Sequence, residues 1–197
     1  MRLISVISTS LVMQLFAATL YAAESKYTDL DLNEDCVFHS EYEQGASAYC
    51  SGYKGYPVHF DEGDLRQMVR FGHLKVLKGQ WESFGQFNRI NNKIEWRLND
   101  GKPYAAILRW FIENSNSNGE YSKALEGQVL VISKVADHDS PASCVVGYVD
   151  ARANSNSNEL ARKIADTIAP GFKCFQDGPD FHGKRGKYSG DPVISHQ

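Results

Sequence analysis

Lys93-Ile-Glu-Trp-Arg-Leu-Asn-Asp-Gly-Lys-Pro-Tyr-Ala-Ala-Ile-Leu-Arg-Trp-Phe-Ile112 is the stretch that says most about the architecture of this chain. Asp100-Gly101 favours a two-residue hairpin turn, in which both central residues need a positive φ. We therefore predict a β-hairpin made of residues 93–98 and 103–112. The first strand alternates between apolar and polar residues, which is typical of a strand covered on one side. The second is apolar on both sides, so we expect it in the middle of a sheet.

Pairing that is symmetric about the turn would place one set of apolar side chains on a common face. We expect this face to carry Ile94, Trp96, Leu98, Ala105 and Ile107. Because side chains alternate strictly along a strand, the assignment holds only if the register contains no extra residue.

The flanking sequence predicts further elements. Strands are expected over residues 36–40, 46–52, 128–135 and 143–150, with a return strand over 172–175. One helix is expected to begin at Asp61 and to end at Gly72, because apolar residues between them recur at helical spacing. A second is expected after Asn156, with Glu159 completing a capping box and Pro170-Gly171 ending it. Short turns between neighbouring strands imply antiparallel pairing. We therefore predict a single α+β domain, stapled by disulfides, with an antiparallel sheet of about five to six strands and two helices packed on it.

The N-terminus predicts export. Arg2 precedes a largely apolar stretch that extends to Leu20, and small residues at Ala22 and Ala23 suit a signal peptidase. A membrane anchor is the alternative, but serines, a threonine and a glutamine interrupt the stretch. We predict a signal peptide over residues 1–22, a flexible lead-in over 23–34, the domain over 35–176 and a flexible tail over 177–197. The mature chain would be periplasmic or secreted and would contain no membrane span.

The chain has four cysteines, Cys36, Cys50, Cys144 and Cys174. An even number in an exported chain indicates two disulfides, for which three pairings exist. We favour Cys36–Cys50 and Cys144–Cys174, because each pair closes a short loop. A zinc site is the alternative, but no two cysteines have the spacing of two to four residues that such sites use. We expect neither a metal nor a cofactor.

Charge argues against nucleic acid as a partner. The formal net charge is −3, and the largest basic cluster is Lys184-Arg185-Gly186-Lys187. Proteins that bind nucleic acid carry basic patches larger than this one.

Two groups of residues are candidates for binding. Arg109 interrupts the doubly apolar strand, and a buried guanidinium needs a carboxylate, an anionic ligand or a path to solvent. Asp150 and Glu95 are its candidate structural partners, and a bound anion is the alternative. Asp150-Ala-Arg152 also collects charge where a strand meets a helix. The second group is aromatic and comprises Trp96, Tyr104 and Trp110, which would either fill the core or anchor a partner.

Three stretches carry a resemblance: Ile94–Trp110, Cys144–Ala151 and Asn158–Asp166. Together they resemble a family of small exported alphaproteobacterial proteins without an assigned activity. The resemblance implies a bacterial envelope setting and identifies no functional residue.

Two functional hypotheses follow. The first is an exported, non-catalytic binding or accessory module that acts on a protein or an envelope polymer. The second is a small periplasmic hydrolase with a site around Arg109, Asp150 and one histidine. No local catalytic motif is present, but a catalytic site can be assembled from residues far apart in sequence.

Overall fold

The computed structural model describes residues 23–75 and 80–196, so the predicted signal peptide lies outside the described residues. Within these ranges the protein is mostly β, with one α-helix and two short 3₁₀ segments. The strands are β1 (Glu24–Asp29), β2 (Cys36–Tyr42), β3 (Gly45–Cys50), β4 (Val58–Gly63), β5 (Arg66–Gly72), β6 (Gln80–Phe84), β7 (Asn88–Asn99), β8 (Lys102–Ile112), β9 (Gly127–Ala136), β10 (Val145–Asp150), β11 (Asp180–Phe181) and β12 (Pro192–His196). The helix is α1 (Ser157–Thr167). None of the helices in the described ranges has the length and apolar content needed to cross a bilayer.

The predicted α+β fold with a five-to-six-strand antiparallel sheet and two helices is wrong. Ten strands form one curled, mixed sheet, in which eight follow the order β1-β7-β8-β9-β5-β4-β3-β2. β10 adds to β9 and β11 adds to β10, while β6 and β12 form a separate pair. Most pairs are antiparallel, but β5 with β9 and β10 with β11 are parallel.

The helix predicted between Asp61 and Gly72 is a β-hairpin. Asp64 and Leu65 turn the chain with φ values of 49° and 59°, and β4 pairs with β5 on either side of them. Most of β5 is buried, including the side chains of Met68 and Arg70. A strand that is covered on both faces loses its alternating pattern, which is why the apolar spacing resembled that of a helix.

The central hairpin is confirmed, and its register contains a bulge. Asp100 and Gly101 have φ values of 49° and 76°, as the predicted turn requires. Leu98 pairs with Pro103 and Arg97 with Ala105, so Tyr104 is an extra residue in β8. The insertion shifts the register by one residue from there onward.

The bulge corrects the predicted face assignment. Ile94, Trp96 and Leu98 share the concave core with Ala106 and Leu108. Ala105 and Ile107 instead lie on the convex face, where α1 packs with Ala161, Ile164 and Ala165. β8 is therefore buried on both sides, as its doubly apolar sequence predicted.

Both favoured disulfides are present. Cys36 and Cys50 are directly opposite each other on β2 and β3, with a Cα–Cα distance of 3.9 Å. Cys144 and Cys174 join the start of β10 to the segment that follows α1. The second predicted helix is confirmed as α1, although the Asn156 side chain makes no capping hydrogen bond.

Three segments contain structure that the sequence did not predict. The predicted lead-in contains β1, which pairs with β7 over its whole length. The predicted tail contains β11 and β12, and β12 pairs with β6. Residues 172–175, expected as a strand, form a turn that the Asp177 carboxylate stabilises by accepting from the Lys173 amide. The strands in these segments lie at sheet margins, where little apolar surface is buried and the sequence carries little apolar pattern.

We expect Gly101→Ala to lower the free energy of unfolding by about 1 kcal/mol, because an L-residue is strained at a positive φ. Gly171→Ala is the matched control. A Cβ at either position meets no atom within 4 Å, but only Gly101 has a positive φ. Urea unfolding of both variants measures the difference. Equal losses would show that the turn does not require a left-handed residue.

Candidate interaction surface

The predicted aromatic anchors are core residues. Trp96 and Trp110 are 0% and 2% exposed. The Trp96 indole donates to Thr28 Oγ1 at 2.8 Å and meets the Phe71 ring edge-on. Trp110 packs against Phe84 with ring centroids 5.7 Å apart. Neither indole is available to a partner at the surface.

Tyr104, the bulged residue, belongs to a polar cluster between the hairpin and α1. Its hydroxyl donates to Asp166 Oδ1 at 2.6 Å, and Arg97 donates to both oxygens of the same carboxylate. Arg97 also donates to the carbonyl of Ala23, at 3.2 Å. Desolvation by burial, reinforced by the Asp166 carboxylate, raises the pKa of Tyr104. The tyrosine is therefore a neutral hydrogen-bond donor that ties the hairpin to the helix.

Arg109 has neither of its predicted carboxylate partners. Its guanidinium is half-buried and donates to the side-chain oxygen of Gln128 at 2.9 Å. Burial lowers its pKa, because desolvation disfavours the charged form. Glu95 is instead bound by Arg162, at 2.6 Å.

Asp150 has a structural role. Its carboxylate is 3% exposed and accepts hydrogen bonds from the backbone amides of Arg152, Ala153 and Gly186, at 2.8, 3.0 and 2.8 Å. It thus holds the turn before α1 and fixes the C-terminal segment against it.

Arg152 lies beside Asp150 and completes a loop contact. Its guanidinium donates to the carbonyls of Glu126 and Ala124, at 2.6 and 3.2 Å. Asp150 and Arg152 both line a cavity of about 220 Å³, together with Lys187 and Tyr188. The structure thus brings Asp150 and Arg152 together, whereas Arg109 is not among the residues that line this cavity.

Metal binding finds no support in the described ranges, where no group of three or more His, Cys, Asp or Glu side chains could hold an ion. The histidines serve packing in several places. His59 is buried, and its Nε2 lies 2.9 Å from the carbonyl oxygen of Gly72. Desolvation lowers its pKa, so this imidazole is neutral at physiological pH.

β2 is the most open apolar feature of the described surface. It is the last strand in the sheet order, and among the described residues it pairs with β3 alone. Val37 is 72% exposed, Tyr42 58% and Phe38 37%, and neighbouring Tyr49 on β3 is 44% exposed. β2 contains neither the lysine nor the proline that commonly protect an edge strand. Its outer backbone groups are therefore accessible to an added strand.

Contacts with β3 fix the position of β2 in the sheet. The Cys36–Cys50 disulfide links its first residue to β3. On the outer face the rings of His39, Tyr49 and His59 follow one another across three strands, with centroids 4.5 and 5.1 Å apart.

A bulge at His39, between the Phe38 and Ser40 pairs, is the one irregularity in the register of β2 and β3. We call the outer edge of β2 with these exposed side chains the β2 edge.

Acidic residues surround the β2 edge. Residues 31–43 contain no lysine or arginine and five acidic residues, which are Asp31, Glu34, Asp35, Glu41 and Glu43. Asp31 and Asp35 also hold the preceding turn, since each carboxylate accepts a hydrogen bond from a backbone amide within it. The β2 edge thus combines open backbone groups, apolar side chains and negative charge.

Sequence reasoning predicted β2 as a strand but did not identify its edge. β2 contains neither the lysine nor the proline that commonly mark an edge strand, so its sequence does not distinguish it from an interior strand. Its position at the edge is evident only from the strand order.

Comparison of the chain with protein-family models, curated proteins and solved structures found no significant match. The resemblance to exported alphaproteobacterial proteins therefore stays a prediction.

We expect Asp166→Ala to lower the free energy of unfolding by about 2 kcal/mol, because it removes the carboxylate that the buried Arg97 guanidinium and the Tyr104 hydroxyl share as an acceptor. Asp29→Ala is the control, since its ion pair with Lys93 is exposed on both sides. It should change stability by no more than about 0.5 kcal/mol. Chemical denaturation of the two variants makes the comparison. Similar losses would contradict a structural role for the polar cluster.

Proposed function

We propose that this protein is an exported, non-catalytic binding module that captures an extended polypeptide segment along the β2 edge. The partner segment belongs to a protein or to a peptide-bearing envelope component, and it carries basic and apolar side chains in alternation. The observation that carries the proposal is the open terminal strand with its exposed Val37, Phe38 and Tyr42.

Strand addition suits this surface because backbone hydrogen bonds and side-chain contacts have separate functions in it. Backbone hydrogen bonds along β2 supply affinity for any extended chain, and side-chain contacts select among chains. Val37 on β2 is directly paired with Tyr49 on β3, and the two side chains form an apolar contact surface on the outer face of the sheet. The acidic residues around the edge favour lysine or arginine in the partner and increase the rate of encounter.

The same charge argues against a second copy of this chain as the occupant. Two β2 edges brought together would place ten acidic side chains from residues 31–43 at one interface without a lysine or arginine from these segments. Like charges in such a contact cost affinity. A basic partner removes this cost.

Export agrees with the two disulfides, which persist in oxidising compartments. The hydrolase hypothesis gains no support from the described residues. Its two central groups, Arg109 and Asp150, bind different partners, and the hydrogen bonds of neither include a histidine.

The test uses the mature, oxidised protein and a labelled eight-residue peptide of alternating lysine and valine. We expect saturable binding by fluorescence anisotropy and slower amide hydrogen exchange along β2 when the peptide is bound. Val37→Lys should weaken binding at least tenfold, because it adds positive charge and removes apolar contact. Val37 is exposed, so the fold should be unaffected.

Two controls distinguish strand addition at the β2 edge from nonspecific electrostatic attraction of a basic peptide. Val193→Lys makes the same substitution at an exposed position on β12 and should leave the affinity unchanged. A peptide of alternating lysine and glycine has the same charge without apolar side chains and should bind at least tenfold more weakly. Equal effects of the two valine substitutions, or binding without added protection in β2, would overturn the proposal.

A further inference from the structure

A second site of different chemistry lies beside β6. A cavity of about 230 Å³ adjoins the side chain of Glu82. Its walls are largely apolar and come from the start of β10, the segment after α1, and β12; the apolar residues are Cys144, Val145, Phe172, Phe175, Pro179 and Ile194. A largely apolar pocket with a few polar groups is typical of a ligand site. Its volume is below the roughly 300 Å³ at which pockets for drug-sized ligands begin, so it fits a smaller molecule.

Glu82 is the buried acid of this cavity and is 4% exposed. One carboxylate oxygen accepts from the Val145 amide at 3.0 Å, and in the described ranges this is the only hydrogen bond to the carboxylate. The carboxylate therefore keeps acceptor capacity beyond this bond, and Glu82 is one of the residues that line the cavity. Burial raises the pKa of Glu82 to about 7, because the charged form is poorly solvated there.

Among the described residues, no basic side chain forms an ion pair with Glu82. Arg70 on β5 lies close enough to oppose the rise of its pKa, but it forms an ion pair with Asp61 at 2.8 Å. Tyr148 on β10 faces Glu82, and burial raises the pKa of this phenol, so it stays neutral. Asp177 lines the cavity from the segment after α1 and adds a second acid. The electrostatics thus favour a cation.

The backbone has an unusual conformation at Phe175, one of the residues that line the cavity. Phe175 is 42% exposed and has a φ of 68°, which is uncommon for a bulky residue. It follows Cys174, which forms a disulfide with Cys144, a residue of the cavity wall. Strained backbone of this kind is enriched at ligand sites.

We infer that this cavity binds a primary ammonium group carried on a short apolar chain, with the Glu82 carboxylate as its counter-ion. The ammonium supplies the charge partner and hydrogen-bond donors that Glu82 lacks, while the chain occupies the apolar walls. Both a free alkylamine and the lysine side chain of a polypeptide offer this chemistry. The site is separate from the β2 edge and does not depend on the proposed function.

The experiment titrates the oxidised protein with n-butylammonium and with neutral n-butanol, following the Val145 amide by NMR. We expect saturable shifts with the ammonium and at least tenfold weaker binding of the alcohol. Ionisation of Glu82 with a pKa of about 7 should raise the affinity for the ammonium about tenfold between pH 6 and pH 8. The affinity should rise with pH because the ammonium binds the ionised carboxylate, and the ionised fraction of Glu82 grows as the pH increases.

Glu82→Gln should lose at least tenfold in affinity together with the pH dependence. Glu159→Gln is the matched control, since it makes the same carboxylate-to-amide change at an exposed residue of α1 that does not line the cavity, and it should retain both. Binding of n-butylammonium that is pH-independent, or equally sensitive to both substitutions, would overturn the inference. The wild-type titration alone decides the question if Glu82→Gln does not fold.

A second arm uses Nα-acetyl-lysine methylamide, which presents the lysine side chain. Binding of this compound at least tenfold more tightly than n-butylammonium would identify a polypeptide as the source. Tighter binding of n-butylammonium would identify a free amine. Failure of both compounds to shift the Val145 amide would contradict the site.

Discussion

A short connection between the two ends of the sheet constrains the rest of the structure. β1 and β2 are the first and last strands in the eight-strand order, yet only residues 30–35 join them. Eight strands laid flat would separate these ends by about 34 Å at the usual strand spacing. Seven residue steps reach at most about 25 Å when fully extended, and the Asp31–Asp35 turn shortens them further. The sheet must therefore curl.

Curling creates an inside and an outside from one sheet. The inside carries the larger apolar cluster, with Trp96, Phe71 and Tyr148 at its centre. The outside of β8, β9 and β10 is covered by α1 and forms the second cluster. The polar cluster of Arg97, Tyr104 and Asp166 then fixes the end of the hairpin to the helix that covers it.

The elements that could be predicted correctly from the sequence are those whose signals come from neighbouring residues. The Asp100-Gly101 turn, the amphipathic α1 and the pairing of cysteines across short loops depend on neighbouring residues. The curl could not be predicted, because it depends on pairing between β1 and β7, whose partners are about 70 residues apart. The bulge at Tyr104 reversed the face assignment of Ala105 and Ile107, and no residue in that stretch marks an insertion. β5 was mistaken for a helix because burial on both faces removed its alternation.

The candidate sites were harder to predict for the same reason. β2 was recognised as a strand, but its position at the edge is a property of the whole sheet. Trp96 and Trp110 attracted attention as aromatic residues, although a central hairpin must bury such side chains. Glu82 lies in a short polar-apolar segment that does not distinguish a buried acid from an exposed one. Local sequence thus identified strands and disulfides, whereas exposure depended on topology.

The short connection also determines how this protein can assemble. A polymer that grows by strand addition needs two open edges that point away from each other, so that each subunit receives one neighbour and offers a second edge to the next. Here the loop over residues 30–35 holds the open edges of β1 and β2 on the same side of the molecule. A strand that occupies one edge obstructs approach to the other. The curl therefore permits a single added strand and opposes fibril growth, which limits the aggregation hazard of an unprotected edge.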